Sequence, residues 1–184
     1  ETDANTSHGD KNLGDLPEWD LSDLYEAEDA PQLNSDLQWL EGECAKFAQD
    51  YQNNLATLNA DQLLNCIHRN EKISAIAGRI LSFAGLRYYQ MTTDSNRAKF
   101  MSDAQEKITN FTTPLVFFTL EINRLEEGHL DTLFAQSTEL ARYKPVFDKI
   151  RAMKPYQLSD ELENFLHDLG AVSYTHLRAH ETSL

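Results

Sequence analysis

Chemistry in this chain would first be sought near its end, where His176 and His180 stand four apart and Glu181 follows directly. On a helix that spacing puts both imidazoles on one face, as zinc ligands require. A zinc peptidase of the His-Glu-x-x-His type also needs a glutamate directly after the first histidine, to take the proton from metal-bound water, and here Leu177 occupies that position. Two histidines leave a tetrahedral ion short of protein ligands, and VSYTHLRAHETSL has no apolar stripe to hold a helix in place. A small metalloenzyme built on this pair is therefore set aside. Catalytic, cofactor-binding and metal-ligating residues are all expected to be absent from the chain.

The other reactive residue types are scattered. His8, His68, His129 and His167 are isolated from one another, which points to solvated or packing roles. The acidic pairs Glu126–Glu127 and Asp160–Glu161 lie beside expected helix ends, where solvation and the helix dipole account for them without acid–base catalysis. No G-x-x-x-x-G-K, G-x-G-x-x-G or G-x-S-x-G occurs, so nucleotide-binding and serine-hydrolase readings lose their main support. Cys44 and Cys66 are too few for a disulfide scaffold and form no C-x-x-C pair, which fits reduced thiols in a cytoplasmic protein. The acceptor-like triplets at Asn5 and Asn110 are read as chance.

The elements that would position any such residue are helices. With 184 residues, 41% of them hydrophobic and 10% aromatic, the chain can bury one ordinary core. A mean hydropathy of −0.54 and no long apolar run argue against a membrane span. The net charge of −14 repels phosphate backbones and anionic lipids, which disfavours nucleic-acid and membrane partners. Ten acidic residues and one lysine in residues 1–31 carry −9 of that charge, a solubilising leader rather than a docking tail. The chain opens on Glu1 with no basic and apolar targeting pattern, and is expected to be a fragment of a longer protein.

Residues 1–15 are expected as a disordered acidic leader. In LPEWDLSDLY (16–25), Trp19 is the expected anchor of an irregular strip docked on a neighbouring surface. Leu33, Leu37, Leu40, Cys44, Phe47 and Tyr51 alternate steps of four and three, one stripe of a helix over 32–55. Asn59 and Gln62 read as a capping box opening a helix from Ala60 to Met91, in which Gly78 and Gly85 share a face and suggest close packing. Asp94 should cap a third helix with the stripe Met101, Ala104, Ile108, Phe111, Leu115, Phe118, Ile122 and Leu125, kinked at Pro114 and ended by Gly128. Shorter helices are expected at 129–136, 138–151 and, capped by Ser159, 160–169. The fold class is all-α: an elongated antiparallel bundle of about four to six helices with two long central ones.

Four stretches together carry a family likeness: LPEWDLSDLY, AGRILSFAGLRYYQMTTD (77–94), LVFFTLEINRLEE (115–127) and YKPVFDKIRAMKPYQLSDELENFLHDLG (143–170). In order and spacing, residues 16–170 resemble the N-terminal helical region of the oligoendopeptidase F family of thimet-like zinc metallopeptidases. That resemblance implies one wall of a deep cleft that admits short peptides, with zinc and the His-Glu-x-x-His motif supplied by a later catalytic region of the same chain. It carries no catalytic or metal residue onto this sequence, so the fragment alone is expected to be inactive. Residues 171–184 depart from the pattern and are read as a non-native, adapter-like tail. The competing class is a non-enzymatic helical module whose stripes pair between chains as coiled coils.

Overall fold

The computed structural model describes residues 19–169. Both the acidic leader and the adapter-like tail, including His176, His180 and Glu181, lie outside the described residues. What is described is all-α, with no strand among these residues. Helix α1 (Pro31–Tyr51) begins on a proline, whose fixed φ suits a first turn and whose missing N–H costs nothing there. Its stripe faces inward: Leu33, Leu40, Cys44, Phe47 and Tyr51 are all buried.

The chain leaves α1 through Asn53, which has φ 64°, a left-handed conformation that asparagine tolerates. Glu121, from far along the sequence, secures this exit by accepting from the backbone N–H of Asn53 at 2.5 Å and of Leu55 at 3.3 Å. Helix α2 (Ala60–Gln90) opens on the expected capping box: the Asn59 side chain accepts from Gln62 N–H, and the Gln62 side chain accepts from Asn59 N–H. At ~1.5 Å per residue its 31 residues span about 46 Å, and it packs on both α1 and α3. Close backbone approach is not used at Gly78, which is exposed and around which an added Cβ would meet nothing within 4 Å. At the buried Gly85 the nearest atom belongs to Tyr89 of the same helix, 3.9 Å away.

The expected third helix exists in pieces. Asp94 caps α3 (Ser95–Thr112), accepting from Asn96 N–H and Arg97 N–H. Pro114 then tightens residues Thr113–Leu115 into a 3-10 turn before α4 (Val116–Arg124) resumes. The stripe survives the interruption, because Ala104, Ile108, Phe118, Ile122 and Leu125 are buried on both sides of it. Gly128 is not the stop. The helix ends at Arg124, where Leu125 and Glu126 turn extended, and Gly128 sits in the first turn of α5 (Glu127–Gln136). The stretch expected as one helix over 138–151 divides at Pro145 into α6 (Thr138–Ala141) and α7 (Lys144–Ala152), since proline starts a helix more readily than it continues one. A 3-10 turn at Lys154–Tyr156 and a helical segment over 160–169 (α8) complete the described chain. These divisions at Pro114, Leu125 and Pro145 give more, shorter helices than the four to six expected.

The docked strip is held by Tyr25, not by Trp19. Trp19 is 66% exposed, whereas Tyr25 is buried and its hydroxyl donates to Asp36 Oδ2 at 2.7 Å. Arg79 joins them from α2, donating from Nε to the Tyr25 hydroxyl at 3.0 Å and pairing with Asp36 through Nη2. Asp36 is a charge inside the α1 stripe, one of two buried polar residues among those described. It is tolerated there because two donors besides Gln32 satisfy its oxygens. Most of both coiled-coil candidate stripes is packed within one chain, while Leu37, Met101, Phe111 and Leu115 are half-buried.

Candidate functional site

A concavity lies beside α4, where the segment after α7 folds back across it. It encloses about 590 Å³ and is lined mainly by apolar groups, among them Leu115, Val116, Leu120, Met153, Tyr156 and Leu166. Local sequence builds both walls. Pro114 sets the angle at which α4 leaves α3, and Pro155 holds the 3-10 turn that carries Tyr156 over the groove. Arg151 ties α7 beneath α4 by donating to the carbonyls of Ile122 (3.0 Å) and Leu125 (2.7 Å), two of the acceptors a helix end leaves open.

Polar contacts seat α8 over the groove. Asn123 is buried on α4, and its Nδ2 donates to Gln157 Oε1 at 2.9 Å while its Oδ1 has no hydrogen-bond partner. Arg124 pairs with Asp160 at the start of α8, and Ser159 caps that helix weakly, with Leu162 N–H to Oγ at 3.4 Å. At the far end, the Thr113 hydroxyl donates to Asp168 Oδ1 at 2.9 Å and lies 3.2 Å from His167 Nδ1.

A threonine, a histidine and an aspartate converging in this way invite comparison with a nucleophile triad, but the wiring differs. In a triad the acid orients the base through its second ring nitrogen, leaving the first to take the nucleophile's proton. Here both His167 Nδ1 and Asp168 Oδ1 approach the same Thr113 oxygen, which also lies 2.9 Å from the carbonyl of Thr109 one turn back. A hydroxyl has one proton to donate, so this is a fastening between the 3-10 turn after α3 and α8, not an activated nucleophile.

The remaining reactive residues are apart from the groove and from one another. His68 Nε2 lies 3.6 Å from Glu139 Oε1 and its ring stacks edge-on to Tyr143. His129 is half-buried on α5 with its Nε2 unpartnered. Glu126 stands just before α5 without a side-chain cap bond and Glu127 opens the helix, while Glu161 is exposed on α8. Both thiols are buried and free; burial pushes Cys44 up to about 11 and Cys66 to about 12, so neither is a nucleophile near neutral pH. His8 and Asn5 lie outside the described residues, and Asn110 is exposed on α3.

A zinc ion needs at least three such donors converging, and among the described residues no three His, Cys, Asp or Glu side chains come together in that way. The described residues therefore offer no ligand set for the metal that the family resemblance implies. No described helix is long and apolar enough to cross a membrane. Reasoning from spacing missed the groove and its fastenings, since these join residues 34 to 55 positions apart.

No curated protein and no solved structure matches the chain. A family model described as oligopeptidase F, for the N-terminal region of that peptidase family, matches residues 121–182. The match takes in the last four residues of α4, all of α5 to α8, one wall of the groove and part of the stretch beyond Gly170. Over residues 121–182, about a third of the chain, the sequence is thus similar to the N-terminal region of the oligopeptidase F family.

Proposed function

We propose that this chain is the substrate-access-shaping N-terminal part of a cytoplasmic zinc metallo-oligopeptidase that hydrolyses short peptides. The region supplies confinement, and the metal with its ligands belongs to a catalytic region further along the same polypeptide. The family match over residues 121–182 carries this reading. Two structural observations support it: the matched segment forms a wall of the groove beside α4, and the reactive side chains around that wall are spent on holding helices together. An apolar groove with a few polar groups suits shaping a peptide-sized space.

The parent gene provides the test. Read onward from the codon for Gly170, it is expected to hold an open frame that reaches a His-Glu-x-x-His motif. A frame that runs to its end without that motif overturns the reading.

A further inference from the structure

Helix α8 is amphipathic in the wrong direction for a helix that ends a bundle. At 100° per residue, Asp160, Glu163, Asn164 and His167 share one face, and Leu162, Phe165, Leu166 and Leu169 share the opposite one. The polar face meets the protein: Glu163 and His167 line the groove of 590 Å³, and Asp160 and Asn164 line a smaller one of 290 Å³ beside Pro114 and Phe117. The apolar face looks outward, with Leu162, Phe165, Leu166 and Leu169 between 39% and 57% exposed. Seven of the twelve large exposed hydrophobic residues among those described lie within residues 153–169. No residue of α8 belongs to the hydrophobic core. A ten-residue helix that places no apolar side chain in the core is marginal by itself in water.

Spacing and charge specify what covers this face. Apolar residues at i, i+3, i+4 and i+7 are the seam that a second helix packs against. Glu161 and Asp168 flank the stripe on one side and Glu163 on the other, and Lys154 is the one formal cation between residues 153 and 169. A second copy of this chain would set those carboxylates against themselves and −14 against −14. We infer that the outward face of α8 is a docking seam for an amphipathic helix whose apolar stripe is bordered by lysine or arginine. Leu166 belongs both to the stripe and to the groove, so a long side chain of that partner can enter beside Tyr156 and Met153. The inference holds whether or not the parent is a peptidase, because it rests on the face alone.

The probe is a synthetic helical peptide with leucines at i, i+3, i+4 and i+7 and lysines on the flanking positions, titrated calorimetrically into the 184-residue protein. Binding is expected. Scrambling the peptide at constant composition, or the double substitution Leu162→Ser with Phe165→Ser, should each weaken it at least about tenfold. Those two side chains are exposed, so the thermal unfolding profile of the double variant should match the parent's. Glu161→Lys, a solvent-facing change, should weaken the lysine-flanked peptide and favour a glutamate-flanked one. Equal affinity for the scrambled peptide would reduce the effect to bulk charge and overturn the proposal. So would unchanged affinity in both variants, or sedimentation showing a dimer of the free protein that the double substitution abolishes.

Discussion

Replacing Phe47 by alanine should lower the free energy of unfolding by about 3–5 kcal/mol, the range for truncating a fully buried aromatic side chain. Phe47 is where α1 meets α4. It has no exposed surface, and its ring centroid lies 4.9 Å from that of Tyr51, 5.7 Å from Phe118 and 6.0 Å from Phe117. The Arg69 guanidinium sits 5.6 Å from the same centroid and 5.2 Å from that of Tyr51, while it pairs with Glu43 and Asp50 at 2.7 Å each. Truncation therefore removes ring packing and also the apolar floor beneath a charge held by two carboxylates. Urea unfolding followed by circular dichroism reads the change as a lower midpoint at constant slope. Phe47→Leu, which keeps most of the volume, should cost well under half as much.

The second large effect is expected at Asp36. In Asp36→Ala the Tyr25 hydroxyl and the Arg79 guanidinium lose their shared acceptor in a mostly buried setting. Removing one partner of a buried pair costs about 3–5 kcal/mol, and the partial exposure of Arg79 places this case nearer 2–3 kcal/mol. The double variant Asp36→Leu with Arg79→Leu should recover most of the loss, because no charge is then left alone. Alkaline unfolding offers an independent check. Burial, and then the Asp36 carboxylate beside it, push the Tyr25 phenol from 10.0 up to about 12. The folded state keeps this proton after the unfolded chain has lost it, so the part of the stability linked to Tyr25, intact below pH 10, falls as pH rises towards 12. Tyr25→Phe should remove that part of the alkaline loss and leave the share belonging to Cys44 and Cys66.

Local signals in the sequence were reliable where one residue acts on its near neighbours. The Asn59–Gln62 box, the Asp94 cap and the α1 stripe stand where spacing put them, because each needs only contacts within a turn or two. Gly128 misled because a glycine after a hydrophobic stretch can end one helix or sit in the first turn of the next, and Leu125 and Glu126 had already ended this one. Trp19 misled because size does not decide burial. Tyr25 anchors the strip instead, since its hydroxyl finds Asp36 and Arg79. That triad had a faint trace in sequence, a charged residue at a position of the α1 stripe. Its partner Arg79 is 43 residues away, and no periodicity selects it. The groove beside α4 is less legible still, for it depends on how Pro114 and Pro155 angle their segments. The inverted face of α8 shows the same limit: periodicity reveals a stripe but not which side the rest of the chain leaves open.

We propose that this region confines peptides and does no chemistry of its own. Incubating the purified 184-residue protein with a fluorogenic oligopeptide, zinc added or chelated, tests it most directly. The account predicts no turnover above the buffer control in either condition. Cleavage that is abolished by the chelator, restored by zinc and retained through repurification from a protease-deficient host would contradict it.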